Sequence, residues 1–199
     1  PFRVPSDIEI RGNYFWKPLT WKDDDPSYAG IHWTVKNLLE FKNAQRVLVE
    51  GNVLENIWAA GQSGFAVLFT TRNQGGTAPW SVVQDMTYRR NIVRHAGGGV
   101  NMAGTDNEFP SLRATRILIR DNLFEDVKKA WGDGWAFSLN ITAPENAPLV
   151  GVNHLTIEHN TILSDTAYGF TDSGVDVTKA QDNFVFRNNI VNKGTLGFV

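Results

Sequence analysis

The chain has 199 residues, of which 42% are hydrophobic and 20% charged, a composition that excludes a disordered chain. Its 19 basic and 21 acidic residues give a formal net charge of −2, so no overall field favours nucleic acid or an anionic membrane. Cysteine is absent, which excludes disulfides, thiolate metal sites and a cysteine nucleophile. No apolar run approaches the roughly 18 residues that a membrane-spanning helix needs. The first residues do not have the layout of a signal peptide, so we expect any export signal to lie upstream or to have been removed.

A short pattern of alternating apolar and polar residues recurs along the chain and closes around an asparagine. Its first copy reads Ile8-Glu9-Ile10-Arg11-Gly12-Asn13-Tyr14-Phe15. Alternation with period two is typical of a β-strand, and we expect the asparagine at a bend between two short strands. Asparagine suits a bend because its side chain bonds nearby backbone and it tolerates left-handed dihedral angles. The asparagines, 39, 39, 31, 38 and 29 residues apart, are Asn13, Asn52, Asn91, Asn122, Asn160 and Asn189.

A further short strand is predicted between successive copies, opening with glycine and a large apolar residue. It begins at Gly64, Gly99, Gly134 and Gly169, and Gly197 begins one more. A less regular version covers residues 37–41. Three short strands in each 30 to 40 residues, with little helix signal, predict a parallel β-solenoid. A β-propeller blade has a similar period, but it needs antiparallel strands, and the hairpin dipeptides that join such strands are missing.

This pattern, with the asparagine ladder that it implies, resembles the right-handed parallel β-helix superfamily of pectate-lyase-like proteins. The resemblance covers nearly the whole chain, and it is closest to bacterial β-helix repeat proteins with no assigned activity. It implies a single domain over residues 1–199, all-β, with about five to six coils. It also implies a polysaccharide lying in a groove outside one sheet, and an extracellular or periplasmic location. A fold of this kind does not by itself define a reaction.

Charged residues recur at fixed positions in the repeat, so we expect them to stack at the strand spacing of ~4.8 Å. Alternating charge in such a column predicts a structural ion-pair ladder rather than a set of catalytic groups. The main column, two places before the asparagine, is Arg11, Glu50, Arg89, Arg120, Glu158 and Arg187. A second column of alternating charge, three places after the asparagine, consists of Glu55, Arg94 and Glu125. One place later, His95 is expected beside Asp126.

Neither end of the chain shows the polar or helical cap that a solenoid usually has. We therefore expect either a piece of a longer solenoid or self-association through open ends.

The glycine-initiated strands are the expected counterpart of the polysaccharide groove. Their outward residues, among them Asn101 and Asn140, form a small, polar and nearly uncharged face that we expect to bind substrate. A lyase needs a base and a partner for the uronate carboxylate, commonly Ca²⁺, and a hydrolase needs two carboxyl groups at a defined separation. Neither arrangement is predicted on this face.

Charge returns where these strands end. The spacing from the strand glycines places Arg72, Asp106 and Asp176 on one rim of the groove, with Arg72 beside Asp106, and Asp172 lies close in sequence. If the protein is an enzyme, the three aspartates are the acid/base candidates and Arg72 the charge-stabilising group. The alternative is a rim salt bridge with turn-forming aspartates.

Long connectors follow the same strands, at residues 73–85, 107–114 and 143–153, and connectors stacked on one side of a solenoid can form a binding cleft. Trp80 and Trp131 are the candidates for stacking on a sugar ring; each could instead hold its own loop against the coil. The acidic run at residues 22–26 could bind Ca²⁺, but it lacks the spaced oxygens of a dedicated loop and favours a solvated turn. No metal site and no other cofactor are predicted.

The repeat, its outward residues and the family resemblance lead to two candidate functions. The first is a carbohydrate-associated protein that binds, and in one version cleaves or epimerises, an extended polysaccharide along its groove. The second is a non-catalytic structural or adhesive solenoid, or a fragment whose catalytic coils lie outside these residues. The expected partner is polysaccharide, with no nucleic acid and no membrane span.

Overall fold

The computed structural model of the protein describes residues 3–164, 170–172 and 181–192. These ranges contain seventeen β-strands and two short 3-10 turns, the turns being Leu19–Trp21 and Gln74–Gly76. Every strand belongs to one of three parallel sheets, so the all-β prediction is confirmed. The first sheet comprises β1 (Ser6–Arg11), β4 (Ala44–Glu50), β7 (Val83–Arg89), β10 (Thr115–Arg120), β13 (Asn153–Glu158) and β16 (Val185–Arg187). The second comprises β2 (Tyr14–Trp16), β5 (Val53–Ile57), β8 (Ile92–Ala96), β11 (Leu123–Val127), β14 (Thr161–Ser164) and β17 (Ile190–Val191). The third comprises β3 (Leu39–Phe41), β6 (Phe65–Thr70), β9 (Gly98–Ala103), β12 (Trp135–Asn140) and β15 (Phe170–Asp172).

The chain visits the three sheets in fixed rotation, and we call each pass through them a coil. Coil 1 contains β1 to β3, coil 2 contains β4 to β6, and each later coil continues the series. Each strand from β1 to β14 pairs in parallel with the strand three places further along the chain. This arrangement is compatible with a parallel β-helix. It also places equivalent residues of the sequence repeat in direct register, as in the pairing of Ile10 with Val49 and of Val49 with Tyr88.

Apolar side chains from all three sheets fill the space between them. The inward positions form columns, because each strand places its buried residues opposite those of the next coil. In the first sheet Val49, Tyr88, Ile119 and Ile157 share one register and are at most 1% exposed. Burial of an aliphatic or aromatic side chain of this size contributes about 1.5–3 kcal/mol, so these columns supply much of the folding free energy.

The repeat asparagines form a hydrogen-bonded column at the corner between the first and second sheets. The side-chain oxygen of Asn91 accepts hydrogen bonds from both the backbone N–H and the Nδ2 of Asn52, each at 2.9 Å. The Nδ2 of Asn91 in turn donates to the carbonyl of Val49, at 3.0 Å, and to Oδ1 of Asn122, at 3.1 Å. The same bonds link Asn13 to Asn52, Asn122 to Asn160, and Asn160 to Asn189. Each amide therefore satisfies backbone and side-chain groups of two successive coils.

At this corner the residue with left-handed backbone angles is the one before the asparagine. The asparagine itself does not have positive φ, so its tolerance of that conformation does not explain the bend. Gly51 has φ of 65° and Arg90 has φ of 54°, and the residue preceding each of the other repeat asparagines is also positive. Two further sets of residues have positive φ. One set comprises the residue six places before each asparagine, such as Asp7. The other comprises three residues, among them His95, that lie four places after an asparagine. Non-glycine residues adopt this conformation at a cost of roughly 1–2 kcal/mol, so the stack imposes it at each corner.

The predicted ion-pair ladder on the first sheet is confirmed. Glu50 Oε1 lies 2.8 Å from Arg89 Nε, and Glu50 Oε2 lies 3.7 Å from Arg11 Nε. Glu158 makes the equivalent pairs, at 2.8 Å to Arg187 and 3.7 Å to Arg120. Arg89 and Arg120 are adjacent in register and carry like charge, and Arg120 donates instead to its chain neighbour, the Asp121 carboxylate, at 2.8 Å.

A second ladder on the same sheet was not predicted. It joins Asp7 to Arg46 and Asp85 to Arg116, in each case by two guanidinium-to-carboxylate hydrogen bonds. All four residues have positive φ and stand six places before a repeat asparagine. Bidentate geometry makes these pairs stronger than a single contact between exposed charges.

Within the described ranges, no helix has the length and apolar character needed to cross a membrane.

Removal of one amide from the middle of the asparagine column should cost far more than removal from its end. We expect Asn91→Ala to lower the free energy of unfolding by about 3 kcal/mol or more, because it leaves the buried N–H of Asn52 without its acceptor and removes the side-chain bonds to Asn52, Asn122 and the carbonyl of Val49. The control is Asn13→Ala, which removes the same side chain from the exposed end of the column and should cost about 1 kcal/mol or less. Urea unfolding measures both, and equal losses would contradict the assigned role of the column.

The left-handed corner gives a separate prediction. A Cβ added to Gly51 meets no atom within 4 Å, so any effect of Gly51→Ala comes from the backbone alone. We expect this substitution to lower the free energy of unfolding by about 1–2 kcal/mol. Gly51→Asn should cost about half as much, since asparagine tolerates positive φ. An alanine variant as stable as the parent in thermal or urea unfolding would show that the corner does not require this conformation.

Candidate functional site

A groove of about 470 Å³ crosses the outer face of the third sheet, on the glycine-initiated strands that the repeat predicted. It brings together three of the predicted site residues, Arg72, Asn101 and Asn140. Lys42, which follows β3, joins them. The rest of the lining is amide, hydroxyl and apolar: Asn37, Gln62, Ser63, Phe65, Leu68, Thr70, Ala103, Asn107, Ile141 and Thr142. None of the described lining residues is a carboxylate, although the Glu40 side chain, on β3, contacts two of them, Asn37 and Lys42.

The two predicted asparagines of the groove are linked to each other across neighbouring coils. Asn140 Nδ2 donates to Asn101 Oδ1 at 2.7 Å and to the carbonyl of Met102 at 2.8 Å. These bonds hold both side chains in place on the surface of the sheet. The Nδ2 group of Asn101 has no partner among the described residues, so it can donate to a ligand in the groove.

Two cations lie next to each other at one side of the groove. The backbone N–H of Arg72 donates to the carbonyl of Lys42 at 2.9 Å, which fixes the two residues in adjacent coils. The Lys42 ammonium lies 3.5 Å from the Thr70 hydroxyl and 3.7 Å from a carboxylate oxygen of Glu40. The side chains of Lys42 and Arg72 are 40% and 33% exposed, so both can reach an anionic ligand.

Asp106 lies beside Arg72, as the spacing predicted, but its carboxylate is buried and hydrogen-bonded to backbone N–H groups of the chain. Only 2% of the residue is exposed. One oxygen accepts the backbone N–H of Asn73 at 2.6 Å, the other accepts that of Glu108 at 2.8 Å, and Arg72 Nη1 is 3.7 Å away. The carboxylate thus ties together the connectors that follow β6 and β9. This arrangement favours the rim-salt-bridge alternative, with Asp106 positioning Arg72.

Of the other predicted residues, neither Trp80 nor Trp131 lines the groove. Asp172 ends β15, where its backbone pairs with Leu139. Asp176 lies outside the described residues. Trp80 is half-buried in the connector before β7 and does not line the groove. Trp131 lines a different cavity.

That cavity is a cleft of about 620 Å³ at the corner where the chain passes from the second sheet to the third. It contains four of the seven tryptophans: Trp21, Trp33, Trp58 and Trp131. The sequence pattern indicated only the last of these, because the four tryptophans lie in connectors and share no position in the repeat. Its polar lining is Lys22, Asp23, Asp24, His32, Thr34, Lys129 and Asp133.

A very short connector in coil 3 explains why the cleft forms here. Gly97 alone separates β8 from β9, whereas residues 58–64 and 128–134 connect the corresponding strands of coils 2 and 4. These two longer connectors meet across coil 3, where the N–H of Ala59 donates to the carbonyl of Trp131 at 2.7 Å. A Cβ on Gly97 would lie 2.8 Å from that carbonyl oxygen, so only glycine fits. Glycine at position 97 is therefore required for the close packing of these connectors.

Trp131 is held by a chain of polar groups on the second sheet. Its Nε1 donates to Asp126 Oδ2 at 2.9 Å, and its ring lies 5.6 Å from that of His95. His95 Nδ1 is 3.1 Å from Glu55, and its Nε2 is 3.9 Å from Asp126, so the predicted His95–Asp126 neighbourhood is confirmed. This network orients Trp131 at the edge of the cleft.

The acidic run at residues 22–26 contributes to the opposite wall. Lys22 pairs with Asp24, and its ammonium lies 5.7 Å from the centre of the Trp131 ring. His32 Nδ1 lies 3.0 Å from Asp23 Oδ2. Asp25 accepts hydrogen bonds from Ser27, and these bonds lower the pKa of its carboxyl. Nowhere in the part of the chain that the structure describes do three or more histidines or carboxylates gather around one metal position.

The chain matches no family model, and no curated protein or solved structure is significantly similar to it. The groove and the cleft therefore carry the functional assignment through their own geometry.

Glu55, in the network that orients Trp131, should make the free energy of unfolding depend on pH. Burial raises the pKa of the Glu55 carboxyl, but hydrogen bonds from Tyr14, Arg94 and His95 lower it more, so the pKa lies below its ordinary value. A lowered carboxyl pKa stabilises the fold above the unfolded value, near 4.5, and this contribution is lost as pH falls through the folded value. We expect Glu55→Gln to lower the free energy of unfolding by about 2 kcal/mol at pH 7.

In this experiment the gap between the parent and Glu55→Gln, measured by urea unfolding, should narrow as the pH falls below about 4.5. The matched control is Glu145→Gln, which changes an exposed carboxylate in a connector and should show no such gap. A gap that stays constant from pH 7 to pH 3 would show that the charge of Glu55 does not stabilise the network.

Proposed function

We propose that this chain is a right-handed parallel β-helix of the pectate-lyase-like kind, and that it binds an acidic polysaccharide along the groove of its third sheet. Three parallel sheets visited in fixed rotation, with asparagines hydrogen-bonded from coil to coil, support the fold. The function rests on one observation: the described lining of the groove consists of two cations, amides, hydroxyls and apolar groups, and contains no carboxylate.

The groove has the shape that an extended glycan needs. Lys42, Thr70, Asn101 and Asn140 come from four successive coils, so the lining extends over three strand spacings, or about 14 Å. A ligand lying across the strands contacts equivalent positions of each coil in turn. Because the sheet holds these positions rigidly, little conformational entropy is lost on binding.

The charge and chemistry of the groove favour uronic acid units over neutral sugars. The amides donate to and accept from sugar hydroxyls, while Lys42 and Arg72 pair with carboxylates. Arg72 is well placed for this, since Asp106 and the Thr71 carbonyl hold its guanidinium at the rim. A polysaccharide ligand also accords with an extracellular or periplasmic location, which we include in the proposal.

Binding is the function that the lining supports best. The buried carboxylate of Asp106 favours a positioning role, and cleavage by Asp106, Asp172, Asp176 and Arg72 stays a prediction. The second candidate, a structural or adhesive solenoid, is favoured by the same observation, that the described lining residues include no carboxylate. Self-association through the ends of the solenoid also stays a prediction, which light scattering would test.

The groove proposal is tested by binding of polygalacturonate, an acidic polymer, compared with dextran, a neutral one. We expect the parent to bind polygalacturonate, more weakly as salt increases, because screening weakens pairing between exposed charges. The double variant Lys42→Gln/Arg72→Gln should bind about 5- to 30-fold more weakly, which corresponds to two exposed ion pairs. Affinity electrophoresis and calorimetry provide the measurements.

The matched control is Arg90→Gln, which removes an exposed cation at the corner between the first and second sheets, remote from the groove. It should bind as the parent does. Equal binding of dextran, or equal losses in the control and the double variant, would refute a groove selective for acidic polymers. Mass spectrometry of the incubated polymer separates the two versions of the function: shortened chains show cleavage, and intact chains show binding alone.

A further inference from the structure

We propose that the tryptophan-lined cleft is a second binding site, which takes a neutral pyranose sugar independently of the groove. The cleft shares no lining residue with the groove, and its charge has the opposite sign. Aromatic side chains stack on the apolar face of a sugar ring, while carboxylates and imidazoles bond its hydroxyls. Both kinds of group line this one cavity.

Trp33 provides the stacking surface. Its ring packs on that of Trp21, with centroids 5.2 Å apart and planes 28° from parallel, and this contact holds the indole in place. Trp33 nevertheless remains 45% exposed. A large aromatic residue that is both fixed and accessible in a concave site can bind a flat apolar surface with little loss of entropy.

Carboxylates around the platform can accept hydrogen bonds from sugar hydroxyls. Asp133 is exposed and has no partner among the described residues, so its oxygens are available. On the opposite wall, Asp23 is 3.0 Å from His32, and both side chains are more than half exposed. Each of these groups can bond a hydroxyl of a sugar ring seated on Trp33.

The net charge of the cleft selects against an anionic sugar. Three carboxylates, those of Asp23, Asp24 and Asp133, face two ammonium groups, those of Lys22 and Lys129. A uronate would therefore meet a net negative charge here, whereas in the groove it meets Lys42 and Arg72. An organic cation is also disfavoured, because Lys22 already occupies the face of Trp131 and pairs with Asp24.

One connector separates the two sites. Ala59, Ala60 and Gly61 line the cleft, and the next two residues, Gln62 and Ser63, line the groove. The N–H of Gly61 donates to the carbonyl of Val35 at 2.9 Å, which ties this connector to the segment that carries His32 and Trp33. The connector is thus a shared wall, and each site can be changed by substitution without altering the lining of the other.

The experiment uses four neutral hexasaccharides, made of β-1,4-glucose, β-1,4-xylose, β-1,4-mannose and β-1,3-glucose. Binding is followed by tryptophan fluorescence and by saturation-transfer NMR. We expect at least one of the four to bind the parent. Trp33→Ala should weaken this binding about tenfold or more, and Asp133→Asn, which keeps the side-chain shape, about fivefold.

Trp16→Ala is the matched control, because Trp16 is 50% exposed and stacks on an aromatic neighbour, Tyr14, as Trp33 does on Trp21. It lies outside the cleft and should bind within twofold of the parent. The groove variant Lys42→Gln/Arg72→Gln should bind the neutral sugar unchanged, so this proposal and the groove proposal can fail separately. The cleft proposal is overturned if no hexasaccharide binds, if Trp16→Ala loses as much as Trp33→Ala, or if the groove variant abolishes binding.

Discussion

The asparagine side chain at each corner between the first and second sheets supplies hydrogen bonds that parallel strands cannot supply there. Where the chain bends, the backbone N–H of each asparagine donates a hydrogen bond to the side-chain oxygen of the equivalent asparagine in the next coil. The Nδ2 of the same amide donates to a carbonyl of the preceding coil. Because a buried unpaired N–H or carbonyl costs about 1–3 kcal/mol, each asparagine forces its neighbours into one register. The apolar columns and the charge ladders depend on that register.

The fixed register matters for function because only the connectors between strands can differ in length from coil to coil. The strands of every coil must match those above and below, but the segments between them can differ in length. Coil 3 passes from the second sheet to the third through Gly97 alone, and the longer connectors of coils 2 and 4 close over it. The cleft results from this difference in length on a rigid support, as loops on a stable scaffold generally provide binding sites.

Pairing of charges leaves two surfaces of opposite character. On the first and second sheets, acids pair with bases of the neighbouring coils, as Glu50 does with Arg89 and Glu55 with Arg94. In the groove of the third sheet Lys42 and Arg72 each lie 3.7 Å from one carboxylate, that of Glu40 or Asp106, but their side chains stay exposed to a ligand. In the cleft the carboxylates are in excess. The two proposed ligands, an acidic polysaccharide and a neutral sugar, follow from this difference in charge.

The sequence by itself determined the strands, the parallel stacking and the neighbours within each column, because these are periodic and one aligned asparagine sets the phase of all of them. It therefore predicted the Glu50 and Glu158 ladder, and it placed Arg72, Asn101 and Asn140 near one face. Only the tertiary structure decided that the residue before the asparagine is left-handed, that Asp106 is buried, and that Trp33 and Trp131 line one cleft. These features depend on how connectors of unequal length fold over the coils, and no repeat aligns residues that lie in such connectors.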